Sequence, residues 1–279
     1  MRARLAWVGV GVAALSLGGA GSGFARLADA PLEERGRQVY EANCAACHGT
    51  RGDGRGMAAH MFRTQPRDLR TGSYKFRSTP SGALPTEEDL LRTLTQGVRT
   101  TAMIPQTHIP EDDRKAVVAY IKTFSPRFSE EAPDAPITIP PPLGPSGELV
   151  RKGRQVYDAA QCWECHGKSG RGDGPSARQL KDDWGLPTRP TDLTRRPRKS
   201  GQTPPDLYRT IATGMNGTPM PSYSDSLSSE EIWSLVGYLE SLPRQSEAKN
   251  LFRAVGEEQG GIMVERMHGK LGDRNPFGP

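Results

Sequence analysis

The sequence predicts an all-α protein made of two tandem small helical domains. Three observations carry that prediction. Blocks of residues recur about 117 positions later in the same order, a proline-rich stretch separates the two copies, and helix-start signals stand at equivalent places in each. Of 279 residues 32 are glycine and 24 proline, with 35% hydrophobic and 6% aromatic. Frequent proline and sparse β-branched or aromatic runs argue against a large sheet protein. Apolar and charged residues in ordinary amounts argue against disorder. Divided between two domains, this apolar content leaves each with a thin core, which leaves room for a further apolar body inside each.

At the N-terminus, Arg2 and Arg4 precede a small apolar run from Leu5 to Leu17, then a Gly/Ser/Ala-rich stretch to Ala25. This is the order of an export signal, and Gly23-Phe24-Ala25 supplies small residues for cleavage. Residues 1–25 are therefore expected to be a signal peptide cut after Ala25. A cut after Ala30 also meets the small-residue rule but leaves Pro31 next to it. The competing reading is an uncleaved anchor, since Leu5 to Phe24 spans about 20 residues, long enough to cross a bilayer. Either way the chain is expected in the periplasm, in the second case tethered to the inner membrane.

Two copies of one domain follow, at 26–127 and 146–243. Arg35-Gly36-Arg37-Gln38-Val39-Tyr40 returns as Lys152-Gly153-Arg154-Gln155-Val156-Tyr157. Asp89-Leu90-Leu91-Arg92-Thr93 returns as Asp206-Leu207-Tyr208-Arg209-Thr210, and Gly97 with Met103 as Gly214 with Met220. In the first copy, Pro31 with Glu33 and Glu34 marks a helix start, because proline suits the first turn and acids favour its dipole. Ser146 before Glu148 plays that part in the second. Thr86 and Thr203 each stand three residues before an aspartate, a capping pattern that starts a second helix. A third helix is predicted from Pro110 to Phe124, and again from Ser228-Ser229-Glu230-Glu231 to Leu242. There Ile232, Leu235, Val236 and Leu239 make one apolar face. Between the copies, 128–145 is rich in proline and reads as a semi-rigid extended linker. Residues 244–279 read as a C-terminal extension, with a short amphipathic stretch at 251–255.

The four cysteines carry the chemistry. Each copy holds one Cys-x-x-Cys-His: Cys44, Cys47 and His48, then Cys162, Cys165 and His166. Two disulfides or a Cys₄ zinc site would use the cysteines, but neither explains a histidine after the second cysteine both times. The pentapeptide is the attachment signature of c-type haem. Two thiols on one turn reach the two haem vinyl groups, and the next side chain lies under the iron. Two covalent haems follow, with His48 and His166 as proximal ligands. Such a macrocycle would supply the missing core.

With those motifs the chain resembles the class I cytochrome c family, as a tandem dihaem member, over 31–124 and 146–242. The Gly36/Tyr40 and Gly153/Tyr157 pairs look like the family's Gly-x-x-x-aromatic crossing element, and Tyr120 and Tyr238 like its partner aromatic. The resemblance implies a methionine as sixth ligand in a loop before the last helix. Met220, in Gly217-Thr218-Pro219-Met220-Pro221, matches closely. Met103 aligns with it, but Ile104 interrupts the Met-Pro pair, so His108 stands as the alternative; Met57, His60 and Met61 read as loop or surface residues. Gly52-Asp53-Gly54 and Gly172-Asp173-Gly174 read as turns, since no strand precedes them and no Gly-Lys-Ser/Thr follows.

The implied function is a periplasmic carrier of single electrons between redox partner proteins, not an enzyme. A dihaem peroxidase-like enzyme and a cytochrome subunit of a larger oxidoreductase complex are the alternatives. The formal charge of +5 falls to +3 without Arg2 and Arg4, spread one unit each over 26–135, 146–243 and 244–279. Nucleic acid is not an expected partner, because the one basic cluster, Arg195, Arg196, Arg198 and Lys199, is short and lacks interleaved aromatics. That cluster reads as a solvated loop.

Overall fold

The computed structural model describes residues 31–62 and 64–242. The readings made for 1–25 and 244–279 lie outside the described residues. Within them the elements are α1 (Leu32–Asn43), α2 (Ala45–His48), α3 (Glu87–Gln96), α4 (Glu111–Lys122) and α5 (Arg127–Glu130), then α6 (Gly147–Ala159), α7 (Trp163–His166), α8 (Pro204–Thr213) and α9 (Ser229–Ser241), with short 3₁₀ turns at Ala59–Met61 and Leu69–Thr71. No strand forms among the described residues; Lys181 and Pro187 make an isolated bridge. Two tandem helical domains result, as predicted.

In each domain the first long helix crosses the last. Gly36 and Gly153 stand at the crossings because nothing larger fits. A Cβ on Gly36 would lie 2.0 Å from the Ala116 carbonyl oxygen, and one on Gly153 would lie 1.9 Å from that of Ser234. One turn on, Tyr40 meets Tyr120 edge-on with ring centroids 5.4 Å apart, and Tyr157 meets Tyr238 at the same separation. An ion pair repeats across each crossing, Arg35–Asp113 at 2.5 Å and Lys152–Glu230 at 2.7 Å. The cores gather around these crossings. Val39, Leu90, Leu94 and Val117 pack in the first domain, and Val156, Ile211, Trp233 and Val236 in the second.

The helix starts follow the caps. Thr86 accepts from the Asp89 N–H at 3.1 Å while the Asp89 carboxylate accepts from the Thr86 N–H at 3.1 Å. Thr203 with Asp206, and Ser228 with Glu231, repeat that reciprocal pair. Ser146 accepts from the Leu149 N–H at 3.0 Å. Pro31 differs by one position: it is the N-cap residue, and helical geometry begins at Leu32. Asp89 is also fully buried and accepts from the Ser78 N–H and hydroxyl, so its cap ties the preceding loop to α3. Thr86→Ala removes one side of that arrangement and is expected to cost about 1 kcal/mol, read as a lowered denaturant midpoint at unchanged slope.

Two loop readings change in the structure. The linker is extended beyond α5, yet it is tacked to both domains: the Ile137 N–H donates to the Ser78 carbonyl at 2.8 Å, and Ile137 and Ile139 pack on the second core. The basic cluster is not a solvated loop. Arg198 is 2% exposed and pairs with Glu240, and its Nη2 donates to the Leu239 carbonyl at 3.1 Å. Arg196 donates to the Leu193 carbonyl at 2.9 Å. Cations here meet the last carbonyls of α9, where the helix dipole is negative. Residue type alone could not reveal that destination.

Candidate haem sites

Each Cys-x-x-Cys-His forms a short helical turn placed by the preceding helix. In the second domain the Cys162 N–H donates to the Tyr157 carbonyl at 3.0 Å, and the His166 N–H to the Cys162 carbonyl at 2.9 Å. In the first, the Cys44 N–H donates to the Tyr40 carbonyl at 2.8 Å and the His48 N–H to the Cys44 carbonyl at 2.9 Å. Cysteines three apart on one turn lie on the same side. The crossing tyrosines lock each turn: Tyr40 Oη donates to the Gly49 carbonyl at 2.7 Å and Tyr157 Oη to the Gly167 carbonyl at 2.6 Å. The Gly-Asp-Gly loops back the turns, with the Gly54 N–H on the His48 carbonyl and the Gly172 N–H on that of His166.

Both histidines are oriented the same way. His48 Nδ1 lies 3.2 Å from the Arg67 carbonyl and His166 Nδ1 lies 3.0 Å from that of Thr191. A carbonyl only accepts, so Nδ1 carries the proton and Nε2 keeps its lone pair for a metal. Burial pushes both imidazoles below their usual range, which keeps them neutral at neutral pH. Burial also pushes the Cys44 and Cys162 thiols up to about 11. All four cysteines are half-buried and none is joined in a disulfide. No cluster of three or more metal-ligating side chains forms among the described residues, so the two Cys-x-x-Cys pairs do not combine into one Cys₄ site.

The methionine loops repeat in detail. The Val98 N–H donates to the Met103 carbonyl at 2.7 Å, and the Met215 N–H to that of Met220 at 3.0 Å. Thr101 Oγ1 accepts from the Met103 N–H at 3.1 Å, and Thr218 Oγ1 from the Met220 N–H at 3.3 Å. Gly97 and Gly214, both with φ near +65°, open the loops. A shared Thr-x-Met was therefore a further sequence signal. Met220 lines one cavity with Cys162, Cys165 and His166, and Leu207, Ile211, Leu235 and Leu239 supply its apolar wall. Met103 packs on the core cluster that also receives Cys44. His108, Met57, His60 and Met61 are all exposed.

The second site fits a haem. The cavity of about 2150 Å³ exceeds the roughly 300–1,000 Å³ of a small-ligand pocket, and it continues into the cleft between the domains. Its donors are two thiols, an imidazole and a thioether, and its rim carries half-buried cations. Burial pushes Lys75 down to about 8, with Arg67 and Lys199 adding repulsion. Such a rim suits an acidic macrocycle edge. In the first domain, the buried Tyr74 Oη has no hydrogen-bond partner, a group that a haem carboxylate would satisfy. Sequence reasoning missed Arg67, Lys75 and Tyr74, because nothing in their spacing marks them.

Comparison with known proteins bears on both domains. The family model described as Cytochrome c matches residues 33–125 and 150–243. Two curated relatives, each a Cbb3-type cytochrome c oxidase subunit CcoP, are 26% identical, from Azospirillum sp. (strain B510) over 228 residues and from Azospirillum brasilense over 211. Each match covers 74% of this chain and 61% of the relative, so the chain spans about three-fifths of their length. A chain of the Kuenenia stuttgartiensis reducing HAO-like protein complex Kustc0457/Kustc0458 is 43% identical with a TM-score of 0.75, covering 77% of this chain and 99% of that one.

Proposed function

Because the chain belongs to the cytochrome c family through both of its domains, we propose that it is a dihaem electron-transfer protein of the bacterial periplasm, with both haems ligated by histidine and methionine. The observation that carries this reading is the duplicated site, in which the same turn, the same Nδ1 bond and the same methionine loop occur twice. Cys44 and Cys47 would hold the first haem, with His48 and Met103 as axial ligands. Cys162 and Cys165 would hold the second, with His166 and Met220. Bound haem supplies a one-electron iron couple.

The residues of the chain do the rest. The carbonyls of Arg67 and Thr191 fix the imidazole tautomers and raise their basicity as ligands. Leu207, Ile211, Leu235 and Leu239 exclude water around the second site, and a low dielectric tunes the potential. With haem bound, Met103 and Met220 would occupy the sixth positions and leave substrate no vacant iron site, which favours a carrier over a peroxidase-like enzyme.

The similarity to an oxidase subunit and to a member of a reducing complex supports service as the cytochrome subunit of a larger oxidoreductase assembly. Among the described residues no helix is long and apolar enough to cross a membrane.

An optical redox titration of the haem-loaded protein tests the reading. Two fairly positive potentials are the expected result. One positive and one strongly negative potential would overturn histidine–methionine ligation at one haem, and His108→Ala would then show whether His108 is the ligand at the first.

A further inference from the structure

The segment leading to Met220 is gripped by the other domain. Arg77, in the first domain, is 1% exposed, and its guanidinium reaches across the interface. Nη2 donates to the Thr213 carbonyl at 2.7 Å and Nη1 to the Gly214 carbonyl at 3.4 Å, while Nε bonds the Pro80 carbonyl at 3.0 Å. The two acceptors across the interface are the last residue of α8 and its C-cap. Carbonyls there have no backbone donor within the helix and stand at the negative end of the dipole; the Gly214 carbonyl also accepts from Thr213 Oγ1 at 3.2 Å. Two residues on, Asn216 Oδ1 accepts from the Gly82 N–H at 3.0 Å and its Nδ2 donates to the Ala83 carbonyl at 3.3 Å. Arg67 adds a third point: it covers the Trp184 ring at 4.3 Å, and a Cβ on Gly217 would lie 2.8 Å from its Nη1. The first domain's loop has no counterpart. Among the described residues, the hydrogen bonds of 97–103 stay within that domain.

We propose that Arg77 is a positioning residue for the second haem's sixth ligand, and that the first domain, through Arg77 and the Asn216 contacts, holds the 214–220 loop closed so that Met220 stays on the iron. The proposal rests on the reading of Met220 as ligand. Its physical basis is the strength of hydrogen bonds from a charged donor and the cost of leaving buried carbonyls unsatisfied. A loosened loop populates a methionine-off state, and any external ligand for ferric haem then binds more tightly in proportion to that population. The second iron therefore senses the domain interface, whereas the first does not.

The test is an imidazole titration of the full-length, haem-loaded ferric protein, with each haem followed through its own haem-methyl NMR resonances. Arg77→Met and Asn216→Ala are each expected to tighten imidazole binding at the second haem at least tenfold, about 1.4 kcal/mol, and to leave the first unchanged. Arg77→Lys should recover part of the loss. If Arg77→Met does not fold, Asn216→Ala decides by the same threshold. Wild-type binding in the folded variants overturns the proposal. Met220→Ala separates the two readings. If it binds imidazole as wild type does, Met220 is not the ligand and both readings fall; if it binds tightly while Arg77→Met and Asn216→Ala do not, only the positioning role falls.

Discussion

Gly153→Val is expected to leave the second domain largely unfolded while the first keeps its structure. The added Cβ would sit 1.9 Å from the Ser234 carbonyl oxygen, 2.5 Å from its carbon and 2.8 Å from Tyr238 Cβ. Two of those atoms are backbone of α9, so relief requires α6 and α9 to move apart. Separation would open the packing of Val156 and Tyr157 on Trp233 and Val236 and weaken the Tyr157 bond that holds the haem-binding turn. Overpacking costs roughly 1–3 kcal/mol where side chains can give; a clash with helix backbone should exceed that, against a domain stability of about 5–15 kcal/mol. Gly237→Ala is the control on the same helix. Its Cβ would meet only the flexible Leu149 side chain, at 2.9 Å, and alanine is the better helix former. Thermal unfolding by circular dichroism should show a large loss for Gly153→Val and little change for Gly237→Ala. Comparable melting of the two would refute the crossing as the keystone of the domain.

Met220→Ala has the largest expected effect on chemistry. The thioether is removed, but the loop keeps its two backbone contacts, the Met215 N–H on the residue 220 carbonyl and the residue 220 N–H on Thr218 Oγ1. Cys162 and Cys165 are untouched, so both haems should remain covalently attached. The second iron should lose its strong-field spectrum, and its potential should fall by about 0.1 V or more, a modest part of the roughly 0.8 V that axial ligands span. Met103→Ala should do the same at the first haem. An unchanged ligand-field spectrum after either substitution would remove that methionine from the ligand set.

Much of this protein is written locally. The Cys-x-x-Cys-His turns need only residues within five positions of one another, and the caps Thr86–Asp89, Thr203–Asp206 and Ser228–Glu231 only four. The duplication made each local signal count twice. Gly36 and Gly153 were legible as a crossing element because steric intolerance restricts residue type. The Met103 site was harder, since Ile104 breaks the expected Met-Pro pair. The folded chain adds that Val98, Thr101 and Met103 reproduce the bonds of Met215, Thr218 and Met220, and that His108 is exposed, which supports the proposal of Met103.

By itself, then, the sequence determined two tandem helical domains and a Cys-x-x-Cys-His turn in each, because these depend on side-chain identity at short, fixed spacings. Tertiary structure alone decided which carbonyls orient His48 and His166, where Arg198 is buried, and that Arg77 spans the domains to the end of α8. In each of those cases a backbone oxygen is among the partners. Every residue carries one, so residue identity does not encode the pairing; the path of the folded chain does.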